Sequence, residues 1–185
     1  MRKLKLQMQQ TVNGFVGGPN GEMDWMDMTW GDDINQYVTA LTEPVDTIVM
    51  GRKLAEGFIP YWADAASKPG SPDFAHKMND TPKVVFSKTL DKSNWERTTI
   101  AKGNLKDEIN DLKNSSGGDI IVYGGANFVS NLIHEGLIDE LHLSVNPSAI
   151  SSGLNIFNER TDLKLINATA FTSGKVVLHY EPIKK

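Results

Sequence analysis

Two short apolar runs end in glycine and lead straight into helical spacing, and this pattern constrains the chain more than any other feature. The first is "DTIVMGRK", from Asp46 to Lys53. The second is "DIIVYGGANFVSNLIHEG", from Asp119 to Gly136. A β-branched run of four or five residues that stops at glycine reads as a buried strand. Apolar positions then recur at helical spacing from Ala126 to His134. Strand, glycine, helix, repeated, is the signature of an α/β fold with parallel pairings.

The remaining segments fit that frame. Leu4, Leu6 and Met8 alternate with Lys3, Lys5 and Gln7, which predicts a first strand. Trp30, Ile34, Tyr37, Val38 and Leu41 predict a helix, with Thr29 and Asp32 placed for a capping box. A short helix is expected over Arg52 to Phe58, a strand over Pro82 to Ser87, and a helix carrying Leu105, Ile109 and Leu112. "IDELHLSVNP" alternates, and "LKLINATAFTSGKVVLHYEP" reads as two strands joined near Ser173-Gly174. The sum is one domain spanning 1–185: a mostly parallel central sheet, an antiparallel C-terminal hairpin and helices on both faces.

Composition narrows the function. With 185 residues, 39% hydrophobic and 23% charged, the chain has the make-up of an ordinary globular protein. A net charge of −4 argues against nucleic acid as a partner. The absence of cysteine removes disulfides, thiolate metal sites and a thiol nucleophile, and favours a reducing compartment. No apolar run approaches the roughly 20 residues of a membrane span, and no signal peptide is read at the start. A cytoplasmic location is expected. The four histidines, His76, His134, His142 and His179, are dispersed with no metal-ligand spacing, so no metal is expected.

Three strand ends share a form: Gly51-Arg52-Lys53, Ser87-Lys88-Thr89 and Gly124-Gly125-Ala126-Asn127. Ligands of open α/β sheets sit at the carboxyl ends of strands. A helix N-terminus offers unpaired N–H groups to an anion, and glycine lets the anion come close. The glycines therefore serve either a bare turn or a phosphate. The fingerprints of ordinary dinucleotide-binding and P-loop proteins are both missing.

The stretches "TVNGFVGGPNGEMDW", "DTIVMGRKLAEGF", "PKVVFSKTLDKSNW", "DIIVYGGANFVSNLIHEGLIDELHLSVNPSAI" and "SGKVVLHYEP" occur in an order that resembles the dihydrofolate reductase-like superfamily. Within it the chain is most similar to the reductase domain at the C-terminus of bifunctional riboflavin-biosynthesis proteins and to its stand-alone relatives. That resemblance implies a dihydrofolate reductase-like three-layer fold with NADPH across the carboxyl edge of the sheet. It implies phosphate contacts from Gly51, Arg52, Lys53 and the backbone of Leu54, and a 2′-phosphate seat at Ser87, Lys88 and Thr89. Tyr123, Gly124, Gly125, Ala126, Asn127 and Phe128 would wrap the pyrophosphate and nicotinamide, with Val16 and Asn13 at the nicotinamide lid. The chain departs from the family pattern where Leu54 replaces a threonine, Asn13 a substrate-side carboxylate, and Pro147-Ser148-Ala149-Ile150-Ser151-Ser152-Gly153 a glycine-rich turn.

The resemblance implies an NADPH-dependent reductase of a small heterocyclic or related unsaturated substrate, similar to a riboflavin-pathway pyrimidine reductase. A non-catalytic nucleotide-binding module of the same fold and a true dihydrofolate reductase are the alternatives. Reduction needs a proton as well as a hydride. Asp33 borders the apolar stripe of its helix and is the candidate donor, in a partly apolar pocket that would raise its pKa; solvent is the other source. The rival role for Asp32 and Asp33 is to favour the helix N-terminus. Trp25, Trp30 and Trp62 are placed either to stack on a flat substrate or to pack the core. The resembling domains often pair, so a homodimer is expected, with a strand edge near Leu141 to Val145 as one surface.

Overall fold

The computed structural model describes residues 1–27 and 29–183. Thirteen elements follow in order: β1 (Leu4–Gln10), α1 (Asp32–Thr42), β2 (Val45–Gly51), α2 (Arg52–Ser67), α3 (Asp73–Asp80), β3 (Lys83–Phe86), β4 (Thr98–Ala101), α4 (Leu105–Asn114), β5 (Asp119–Val122), α5 (Ala126–His134), β6 (Glu140–Val145), β7 (Leu163–Ala170) and β8 (Val176–Pro182). The strands form one eight-stranded sheet in the order β4-β3-β2-β5-β1-β6-β8-β7. The first six in that order pair in parallel. The last two join antiparallel through the C-terminal hairpin.

The period-two rule sorts the core into two layers. Leu4, Leu6 and Met8, Val49, and Ile120 and Val122 face α4 and α5 through Ile109, Val129 and Leu132. The alternate residues Ile48, Met50 and Ile121 face α2 and α3 through Ala55, Ile59 and Met78. Helix α1 covers the same second face farther along, where Ile34 and Val38 meet Phe171 and Val177. Each such aliphatic side chain contributes roughly 1.5–3 kcal/mol by leaving water. Helices on both faces follow directly for β2 and β5, which are apolar on both sides, whereas β1 and β6 turn Lys5, Gln7, Glu140 and His142 to the second face.

The amino edge of the sheet is laced with charge. Arg2 donates to the Gly118 carbonyl at 2.5 Å and to Thr47 Oγ1 at 2.7 Å, and pairs with Asp46. Lys113 pairs with Asp139 at 2.6 Å. These contacts tie the loops between helices and strands at that end.

Four features differ from the sequence expectation. Helix α2 runs on to Ser67 through Pro60; a proline normally stops a helix, but here the apolar stripe carrying Ile59 and Trp62 holds the segment against the sheet. Helix α3 and strand β4 carry no strong pattern of their own: α3 is short and polar, and β4 pairs only with β3. No capping box forms at Thr29 and Asp32; the N-cap of α1 is Gly31, with no side-chain cap. Strand β6 is interior, paired to β1 and β8, so Leu141 to Val145 is no free edge. The outer strands are β4 and β7.

Candidate active site

A cleft of about 800 Å³ lies at the carboxyl ends of β2, β3 and β5. It is lined by Gly51 to Leu54, by Phe86 to Thr89, by Gly125 to Phe128, and by Pro19, Asn20, Gly21 and Leu154. Two helices begin on it. The N-cap of α2 is Gly51 and the N-cap of α5 is Gly125, and neither helix has a side-chain cap. By contrast Asn104 caps α4, accepting from Lys106 N at 2.9 Å. The first N–H groups of α2 and α5 are thus left for a ligand or water. The two helix ends add positive potential to the same space.

The glycines at this junction have separate roles. Gly124 has φ +151, a conformation that side chains rarely adopt, so it sets the turn between β5 and α5. Gly125 faces open space: a Cβ built on it meets nothing within 4 Å. Gly51 backs onto Phe128, whose Cβ lies 3.4 Å from where its own Cβ would stand. One glycine makes the turn and the next keeps the cleft clear.

The cationic side chains are partly committed. Arg52, half-buried, pairs with the exposed Glu56 one turn along α2 at 3.2 Å. Lys53 is exposed. Lys88 donates to the carbonyls of Lys102 and Gly103 at 2.8 and 3.0 Å, which fixes its ammonium at the end of β4. Ser87 Oγ accepts from the N–H groups of Thr89 and Leu90 at 3.2 and 3.0 Å, shaping the turn after β3.

Three residues expected around the cofactor are not on the cleft wall. Val16 is buried, with its N–H on the Leu154 carbonyl at 2.9 Å. Tyr123 turns to the α2 face and stacks on Phe58 with ring centroids 5.6 Å apart. Its hydroxyl is buried without a hydrogen-bond partner among the described residues, and burial pushes its pKa up. Gly124 lies beneath, against Met8 and Leu54. Conversely Phe86, Leu154 and the Pro19–Gly21 turn line the cleft without a motif that marks them as ligand contacts. The cluster of glycines from Gly17 to Gly21 was the available signal, since it marks a tight loop. Its place over the cleft comes from the bridge between Gly17 and Leu154.

Asp33 does not sit in a pKa-raising pocket. Its carboxylate accepts from the N–H of Thr172 and of Ile34, both at 2.8 Å. The Thr172 hydrogen bond, foremost, holds its carboxyl below the usual aspartate range. It is ionised at neutral pH and ties the β7–β8 turn to the start of α1. Asn13 is equally engaged: its amide accepts from Thr11 Oγ1 at 2.9 Å and donates to the Ile150 carbonyl at 2.7 Å. The three tryptophans do not gather at one surface. Trp25 is buried and donates to the Glu22 carbonyl at 3.1 Å. Trp30 packs on the α1 cluster, and Trp62 packs between Phe58, Tyr61 and Phe74.

The profile of the RibD C-terminal domain matches residues 2–177. The chain belongs to the RibD C-terminal domain family. Among related sequences, YyaP of Bacillus subtilis (strain 168) is 33% identical over 97% of this chain and 94% of its own length. YwjB of the same organism is 29% identical over 97% of both chains. Among solved structures, a putative riboflavin biosynthesis protein from Shewanella sp. PV-4 superposes with a TM-score of 0.76 at 21% identity, covering all of both chains. A deaminase/reductase from Thermotoga maritima matches with a TM-score of 0.69 at 13% identity, covering 98% of this chain and 57% of that one. The fold is the dihydrofolate reductase-like one that the sequence resemblance implied. No helix among the described residues is long and apolar enough to cross a membrane.

Proposed function

We propose that this protein is an NADPH-dependent reductase acting on a small heterocyclic or related unsaturated substrate, with residues 1–185 working as one domain. The observation that carries the reading is the pair of uncapped, glycine-started helix N-termini facing one cleft. A pyrophosphate is the anion that two such ends suit, and the open space before Gly125 fits a close approach to backbone N–H groups. Gly51 to Leu54 and Gly125 to Phe128 would hold it. Ser87, Lys88 and Thr89 would stand by the adenosine 2′-phosphate, with Arg52 released from Glu56 to join them. When bound, the cofactor supplies the hydride.

The chain's own contribution to chemistry is then binding, orientation and charge. Asp33 does not supply the proton, because its carboxylate is ionised and held by two N–H groups. Solvent is the donor in this reading. The name of the Thermotoga relative includes a uracil reductase and that of a Corynebacterium diphtheriae relative reads pyrimidine reductase-like. Both support a pyrimidine-like heterocycle as the substrate class. A second reading, a nucleotide-binding module without turnover, draws on the same engaged Asp33. We further propose a homodimer, with the outer strand β7 as its surface, since Leu165 and Ile166 are exposed there. Sedimentation as a monomer at micromolar concentration would reject it.

The deciding experiment is titration with NADPH and separately NADH, followed by a screen of pyrimidine substrates for NADPH oxidation. Preferential NADPH binding with turnover supports the reductase. Preferential binding without turnover on any substrate supports the module. Binding of neither rejects the assignment of the cleft.

A further inference from the structure

Pairing of β6 with β8 sets His142 opposite His179. Glu140 lies two residues before His142 on β6 and so shares its face. The three side chains converge. Glu140 Oε2 lies 3.4 Å from His142 Nε2 and 3.8 Å from His179 Nε2. One donor atom from each residue falls within 4.8 Å of the others. Donor atoms around a tetrahedral zinc ion with bonds of about 2.0–2.1 Å stand about 3.3 Å apart. Two edges of the triangle are therefore near closure.

Two of the three ligands are also supported from outside. Tyr37 of α1 places its hydroxyl 2.6 Å from His142 Nδ1, which orients that ring and leaves Nε2 for a ligand. Lys3 pairs with Glu140 Oε1, so Oε2 is the oxygen turned toward the histidines. His179 has the slack. Its Nε2 is buried with no hydrogen-bond partner among the described residues. The two imidazoles stack with centroids 4.2 Å apart and planes 18° apart. For its lone pair to meet the other two donors, the His179 ring would have to turn out of this stack. With 22% of its side chain exposed, His179 also marks the route of entry, whereas Glu140 and His142 are buried.

We propose that Glu140, His142 and His179 form a binding site for one divalent transition-metal ion, zinc foremost, with the fourth position left to water. Two imidazoles and one carboxylate suit a borderline ion rather than calcium or magnesium. The ion would link the C-terminal hairpin to the centre of the sheet. It lies at the first half of β6, apart from the cleft at the ends of β2, β3 and β5. Nothing in the proposed reductase chemistry uses these residues.

The test uses the full chain, stripped with a chelator and titrated with zinc by calorimetry and with cobalt by visible absorption. One equivalent of zinc is expected to bind, with cobalt giving the ligand-field bands of a low-coordinate N/O site. Zinc should also raise the melting temperature of the wild-type chain. His179→Ala should weaken binding at least tenfold. Tyr37→Phe, which keeps all three ligands, should weaken it by about tenfold. Loss of either exposed histidine, in His76→Ala or His134→Ala, should leave the stoichiometric site intact. Absence of a one-to-one zinc isotherm, no thermal shift in the wild type, or binding that survives His142→Ala with His179→Ala would each overturn the proposal. If a histidine variant fails to fold, Tyr37→Phe carries the test: a zinc-induced thermal shift as large as in the wild type would overturn the site.

Discussion

Replacing Gly125 by alanine separates a phosphate seat from a structural turn. The new methyl would meet no atom within 4 Å, and the residue has a negative φ of −37°. The folded state should therefore lose no more than about 1 kcal/mol, the preference of a helix N-cap for glycine over alanine. The methyl would instead occupy the space before the first N–H groups of α5. Displacing a phosphate from one charge-assisted hydrogen bond costs about 1.5–3 kcal/mol, which is roughly a 10- to 100-fold loss of NADPH affinity. Gly124→Ala makes the contrast. Its Cβ would find only ordinary contacts, the nearest at 3.6 Å, but its φ of +151 would be strained. A cost of about 1–3 kcal/mol is expected for a side chain in that region. For a chain of this length that is a fall of about 2–12 °C in melting temperature. The assay is thermal denaturation of both variants alongside fluorimetric titration with NADPH. If Gly125→Ala binds NADPH as the wild type does, the α5 terminus is not the phosphate seat and the reasoning fails.

Three further outcomes follow from the geometry. Arg52→Ala with Lys88→Ala should weaken NADPH binding by about tenfold or more, about 1.4 kcal/mol, and NADH binding far less; equal losses would remove the 2′-phosphate role. Asp33→Asn should leave turnover within a few-fold while lowering thermal stability at neutral pH, because the folded state depresses this carboxyl's pKa and the stabilisation is present above the ordinary aspartate value of 3.8. The stability gap should shrink as pH falls below that value, and a loss of turnover above 100-fold with native stability would restore Asp33 as an acid. Burial lowers Lys83 to about 8 from 10.5, although its ammonium reaches the carbonyls of Asn79 and Thr81. Between those values the unfolded chain holds more protons, so stability should rise with pH from about 8 to 10.5; Lys83→Met should flatten that rise in denaturant melts, and an unchanged slope would reject it.

Sequence alone determined the elements whose pattern is local. Leu4, Leu6 and Met8 could alternate only in a strand, and Ile120 to Val122 had to be buried on both faces. Glycine at 51, 124 and 125 marked where strands hand over to helices, and those residues do open or shape the cleft. Tertiary structure decided whatever depends on a partner distant in sequence. Asp33 looked like an acid beside an apolar stripe, until the N–H of Thr172 arrived from the far hairpin and fixed it as an ion. Leu141 to Val145 read as a possible edge, but β1 and β8 flank it. Lys88 followed a strand as a free cation would, yet the carbonyls after β4 claim its ammonium. Glu140, His142 and His179 showed no ligand spacing because their juxtaposition is made by strand register, which brings β6 and β8 together across the chain. Side-chain periodicity is written residue by residue; hydrogen-bond partners and charge environments are set only when the sheet closes over them.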